Sequence, residues 1–130
     1  MHDLEGILSE CRGHAILFGN MLGQHRLHCT DIASAEADIG GIAQRLRGQS
    51  WASFHDRLSG AWDPWRELPA GFSHPVPLAS GKLAKHFPRV QVWTDHLTEG
   101  LMPSDSVCRY LPWPMERTRL HVVEAAWHPG

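Results

Sequence analysis

Ser50-Trp-Ala-Ser-Phe-His-Asp-Arg-Leu-Ser-Gly-Ala-Trp-Asp-Pro-Trp65 is the stretch on which the fold assignment turns. Trp51, Phe54, Leu58, Ala61, Trp62 and Trp65 recur at mostly three- and four-residue steps, the spacing that gathers side chains on one face of a helix. Ser50 precedes them as an N-cap, its hydroxyl placed to accept from an unpaired N–H of the first turn, and Pro64 ends or restarts the helix. This pattern predicts a helix whose apolar face joins the core.

Upstream, Ile32, Ala35, Ile39, Ile42, Ala43 and Leu46 fit another helix closing at Gly48, with Gly40-Gly41 weakening its middle. From Leu4 to Cys29 a longer stripe runs through Leu4, Leu8, Cys11, Ala15, Phe18, Leu22, His25 and Cys29. Gly13, Gly19 and Gly23 each cost about 0.5–1 kcal/mol relative to alanine inside a helix. A break near Gly19-Asn20, or a short strand from His14 to Phe18, is the competing reading of that stripe. Downstream, Leu68 to Leu78 carries three prolines and one glycine, the composition of an extended connection. Ser80 to His86 predicts a short helix, while Arg89 to Thr94, Ser106 to Leu111 and Thr118 to Trp127 predict strands. Pro112 to Glu116 reads as an irregular turn kept out of any central strand position by its prolines.

These elements predict an α+β fold, three N-terminal helices packed on a small, mostly antiparallel sheet. Residues 1–130 are expected to form a single domain, α-rich over 1–68, connected by the proline-rich 69–78 to a β-rich 79–130. With 42% hydrophobic and 20% charged residues, the chain has the composition of a folded globular protein and not of a disordered one. No apolar run approaches the roughly 18 residues of a membrane span, and the N-terminus has no secretory pattern, so the chain reads as cytoplasmic. Three cysteines at unpatterned spacing, Cys11, Cys29 and Cys108, fit reduced thiols in such a compartment. A net charge of −2, with Lys82 and Lys85 the only lysines among twelve basic residues, argues against nucleic-acid coating and polybasic membrane docking.

The densest chemistry lies between Cys11 and Cys29. Cys11, His14, His25, His28 and Cys29 are a candidate ligand set for zinc or copper, because thiolate and neutral imidazole are the side chains that bind those ions. On one straight helix His14 and His25 would stand about 16 Å apart along the axis. A single ion therefore requires the chain to fold back between Gly19 and Gly23. A second candidate, Ile42 to Leu58, has a loose helix-turn-helix pattern with Arg45, Arg47 and Arg57 nearby, which would suit DNA.

Six tryptophans are many for 130 residues. Trp65 and Trp113 adjoin prolines and are candidates for exposed contacts, together with His25 and Arg57; indole offers wide apolar area with one N–H donor. Nucleophile-elbow, zinc-helix and phosphate-loop signatures are missing, and Asp95-His96 with Glu99 and Cys108 could in principle build a nucleophile and base, although acids and histidines in a turn are usually solvated. The sequence thus predicts a non-enzymatic binding or regulatory protein that meets a protein partner, in first place a second copy in a homodimer, through a Trp/His-bearing surface. A metal-binding sensor or enzyme and a DNA-binding regulator are the alternatives.

Overall fold

The structure, a computed structural model, describes residues 4–20, 22–63 and 67–129. Trp65 and Pro64 lie outside the described residues. Helix α1 (Leu4–Glu10) leads through a turn into strand β1 (Ile16–Gly19), a 3₁₀ segment (Leu22–His28) and helix α2 (Ile32–Arg45). Strand β2 (Trp51–Ala61), strand β3 (Phe72–His74), helix α3 (Ser80–Lys85) and strands β4 (Gln91–Asp95), β5 (Cys108–Glu116) and β6 (Arg119–His128) follow.

One six-stranded sheet dominates the molecule, in the order β1-β2-β6-β5-β3, with β4 joining the same edge of β2 that β1 occupies. The sheet is mixed, because β1 pairs with β2 in parallel and every other pairing is antiparallel. This corrects the expected three N-terminal helices on a small C-terminal sheet. Of the three, α2 stands close to its predicted bounds. The Leu4 to Cys29 stripe divides into α1, β1 and the 3₁₀ segment, and the stretch from Trp51 is the central strand.

The reason for the last correction is local. Trp51, Ser53 and His55 alternate onto the buried face, and a bulge between Asp56 and Leu58 switches the parity so that Leu58 and Gly60 continue on it. A strand whose second half, His55 to Gly60, is buried on both faces, with one bulge, reproduces the three- and four-residue spacing of a helix by coincidence. Similarly, β5 continues through Pro112 and Pro114, where a turn is expected. Its outer neighbour β3 reaches only Cys108 to Tyr110, so the prolines fall on a free edge that needs no N–H donor.

The core lies on one side of the sheet. Ile16, Phe18, Trp51, Leu58, Tyr110, Leu120 and Val122 from the strands pack with Ile39, Ile42 and Leu46 of α2, Leu83 of α3, and Phe87, Leu101 and Met102. Asp31 caps α2 by accepting from the Ser34 N–H at 2.7 Å, which satisfies one of the unpaired donors of its first turn.

Inside that core is a buried polar network, in which Arg57 Nε alone has no hydrogen-bond partner among the side-chain atoms of its four charged and aromatic members. Glu124 accepts from His55 Nε2 at 2.9 Å, Arg57 Nη1 at 2.6 Å and the Tyr110 hydroxyl at 2.6 Å. His55 Nδ1 meets Ser53 Oγ at 2.8 Å, and Arg57 Nη2 donates to the Leu78 carbonyl at 2.6 Å. The Leu78 N–H in turn donates to the Tyr110 oxygen at 2.7 Å. His55, Arg57, Tyr110 and Glu124 are fully buried. Burial by itself raises the Glu124 carboxyl, but the His55 hydrogen bond and the Arg57 charge outweigh it and hold the group below the ordinary carboxylate range. Burial and the neighbouring Glu124 charge push Tyr110 upward, keeping it a phenol donor.

A carboxyl whose folded pKa lies below its unfolded value contributes stability that is complete above the unfolded value near 4.5 and is lost as pH falls through the folded one. Glu124→Gln should therefore destabilise by about 3–5 kcal/mol at pH 7, since it leaves the Arg57 charge buried and uncompensated. Urea unfolding measured between pH 7 and pH 3 should show the gap between wild type and variant closing on the acid side. A constant gap across that range would contradict the ionised state of Glu124.

Candidate functional site

The edge of β2 is split. β1 pairs with Trp51 to Phe54 and β4 with Leu58 to Ala61, leaving His55 to Arg57 without a strand neighbour on that side. The gap is closed by single contacts. The Asn20 N–H donates to the Phe54 carbonyl at 2.8 Å, the His96 N–H to the Arg57 carbonyl at 3.0 Å, and the Thr98 hydroxyl to the Asp56 carbonyl at 2.7 Å. The Asn20 side-chain oxygen accepts from the Asp56 N–H at 3.1 Å. Asn20 and Leu97 border the gap with φ of 56° and 61°, left-handed conformations that turn the chain out of β1 and β4. Gly23 seats the 3₁₀ segment there, because a Cβ on it would stand 2.7 Å from the Asp56 nitrogen.

Around this gap the fold assembles a second polar cluster. Asp56 Oδ1 meets His121 Nδ1 at 3.1 Å, while Oδ2 accepts from Asn20 at 3.3 Å and Gln24 at 3.2 Å. The ring of His96 bridges the Gly23 carbonyl, 3.2 Å from Nδ1, and Ser59 Oγ, 3.0 Å from Nε2. Only an N–H can approach a carbonyl, so Nδ1 carries the hydrogen and Nε2 accepts from the serine. Arg119 completes the group by donating to Ser59 Oγ at 2.8 Å. A neutral imidazole beside a serine hydroxyl is the pairing of an activated nucleophile. Ser59, however, is 1% exposed, so the pair ties β2 and β6 to the His96 loop in place of offering an oxygen to solvent.

The strand register places this cluster at one end of the sheet face opposite the core. Leu17, Ala52 and Trp127 form one cross-strand row on that face; Gly19, Phe54, Ala125 and Arg109 form the next. Asp56, Val123 and Leu111 follow, then Ser59, His121 and Trp113. Leu17 is 65%, Trp127 61% and Trp113 45% exposed, and Val107 adds a further apolar side chain at 63%. The face carries exposed apolar side chains toward both ends, with the exposed Arg109 between them, and an acid, serine and histidine corner.

Of the sequence-predicted surface residues, Trp113 lies on this face. Arg57 is instead in the core, fully buried against Glu124. That burial, together with the strand over Trp51–Ala61, takes away the second helix and a principal cation of the helix-turn-helix reading.

The predicted metal ligands separate. His14 and His28 are exposed, and Cys11 is half-buried against the core. His25 and Cys29 do come together, joined by Asp38 of α2, which sequence reasoning missed. Cys29 Sγ lies 3.2 Å and Asp38 Oδ2 2.8 Å from the same ring nitrogen, His25 Nε2. The hydrogen bond from His25 holds the Asp38 carboxyl below its ordinary value. No sequence motif links Asp38 to the other two; helical spacing does join His25 to Cys29, and the available signal was an acid on the helix that begins directly after them. The cluster of Asp56, Ser59, His96, Arg119 and His121 had no sequence signal, its members coming from three separate segments.

A scan against protein-family models finds no match for this chain, and searches of curated proteins and of solved structures find none either. No helix among the described residues is long and apolar enough to cross a membrane.

Burial is the largest influence on His96 and holds its pKa below the ordinary 6.5, against the opposing charge of Asp56. A buried neutral histidine contributes stability that is complete above 6.5 and diminishes as pH falls through that value toward the folded one. A side-chain nitrogen NMR titration should show His96 in the Nδ1–H form and taking up its proton below pH 6.5. A midpoint at or above 6.5 would contradict this enclosed, neutral placement.

Proposed function

We propose that this protein is a small non-enzymatic binding protein that receives a protein partner on the open face of its sheet, the partner being a second copy of the chain. The observation that carries the reading is the placement of Leu17, Leu111, Trp113 and Trp127 on one sheet face, opposite the side where α2 and α3 pack. Exposed apolar surface of this kind marks interaction sites, and tryptophan is enriched where binding energy concentrates. A two-fold arrangement brings the same patch of each copy together, so the apolar side chains of one copy meet those of the other. With a net charge of −2 per chain, long-range repulsion between copies is weak.

Light scattering at micromolar concentration should give the mass of two chains. Trp127→Arg places a charge on this face and should weaken self-association by about 30-fold, equivalent to about 2 kcal/mol for a central aromatic contact. Its far-UV circular dichroism should be unchanged, because Trp127 is mostly exposed. A monomeric wild type would remove the second copy as the occupant, and undiminished association of the variant would remove this face.

A further inference from the structure

The three side chains His25, Cys29 and Asp38 form a separate group, beneath α2 and away from the sheet face. His25 and Cys29 stand four residues apart on and just after the 3₁₀ segment, and the Asp31 cap then turns the chain so that the second turn of α2 carries Asp38 over them. Their donor atoms converge on one point: Sγ to Nε2 is 3.2 Å, Nε2 to Oδ2 2.8 Å, and Sγ to Oδ2 4.0 Å.

Hydrogen bonding meets this convergence only loosely. If Nε2 carries the ring proton, it donates to Asp38 Oδ2, and the Cys29 thiol is left a 4.0 Å approach to the same oxygen. If Nε2 is bare, it accepts from Cys29 but confronts the Asp38 oxygen lone pair to lone pair at 2.8 Å. A carboxylate, an imidazole nitrogen and a sulfur with one meeting point are an electron-rich group that a single cation resolves. The cluster at Asp56 differs in this respect. Both Asp56 oxygens already accept from Asn20, Gln24 and His121, and Arg119 stands beside it, so it is satisfied without an ion.

We propose that His25, Cys29 and Asp38 are three ligands of a divalent d-block cation, zinc above all, with the fourth position open to water. Zinc takes sulfur at about 2.3 Å and nitrogen or oxygen at about 2.0–2.2 Å, so tetrahedral donors stand about 3.3–3.5 Å apart, and the three observed separations need adjust by only about 0.5 Å. Thiolate and carboxylate together balance a 2+ charge. Binding replaces the Cys29 thiol proton, which leaves to solvent, and uses the neutral ring of His25. Asp38, with a 43% exposed side chain, gives the ion its route of entry. The ion fastens the 3₁₀ segment to α2, and the same segment delivers Gly23 and Gln24 to the gap in the sheet edge.

Cobalt(II) titrated into the purified full chain is the direct test, since zinc is spectroscopically silent. One equivalent should produce thiolate-to-cobalt charge transfer in the near ultraviolet and the intense visible bands of a tetrahedral ion, and zinc should displace it. Cys29→Ser should abolish the charge-transfer band. Asp38→Asn, a near-isosteric change at a half-exposed site, should weaken binding by more than about 100-fold, beyond the 10–100-fold typical of outer-sphere partners. Cys11→Ser and the pair His14→Ala with His28→Ala should bind as wild type does. Absence of saturable binding, binding that survives both Cys29→Ser and Asp38→Asn, or loss of binding in the His14/His28 pair would each overturn the proposal. Should Cys29→Ser fail to fold, Asp38→Asn with a zinc-dependent rise in melting temperature decides the question alone. None of these measurements involves Trp127 or the sheet face.

Discussion

Glu124 sits at the meeting point of three strands, and its carboxylate is the one acceptor for His55, Arg57 and Tyr110 together. An ion pair this deep adds little net stability against an apolar substitute, because the cost of desolvating both charges nearly cancels their attraction. Its effect is on uniqueness. Arg57 fits its Nη1 to Glu124 and its Nη2 to the Leu78 carbonyl, and the bulge beside it sets the register of the second half of β2 against β6. A slip of one residue would move His55 and Arg57 to the opposite face and strand two charges.

The one-sided core follows from that register. Once Trp51, His55 and Leu58 face α2, the alternating residues Ala52, Phe54, Asp56 and Ser59 must face the other way, with Leu17, Trp113 and Trp127 beside them. The 3₁₀ segment enters where the edge of β2 lacks a neighbour and contributes Gly23 and Gln24 around Asp56, which is why a cluster of polar groups is buried at the end of the outer sheet face. The thiol of Cys108 shows how dry the inner side is: burial, with the Glu124 charge, pushes its pKa to about 12, leaving it an inert packing group.

Parts of this were legible in the residues. The α2 periodicity, the short helix at Ser80 and the strands after Arg89 follow from local spacing and breakers, which are properties of neighbours in sequence. His25 and Cys29 were legible as ligand types for the same reason, being four residues apart. Asp38 was not, since only the turn after Cys29 brings α2 across them. Trp51 to Ala61 misled because a doubly buried strand loses the polar alternation that reveals strands, and its bulge supplied a helical spacing instead.

What the sequence by itself determined is the composition of a folded chain, the local elements with strong caps or breakers, and the identity of side chains able to bind metal or aromatic surface. Tertiary structure alone decided which faces those side chains occupy. Strand pairing is set by partners tens of residues away: Glu124 chose the inward face of β2, and that choice placed Arg57 in the core, Trp113 and Trp127 on the outer face, and Asp56, His96 and His121 in one cluster. The physical reason is that burying a charge requires a specific counter-charge, and no local pattern records where along the chain that counter-charge will be found.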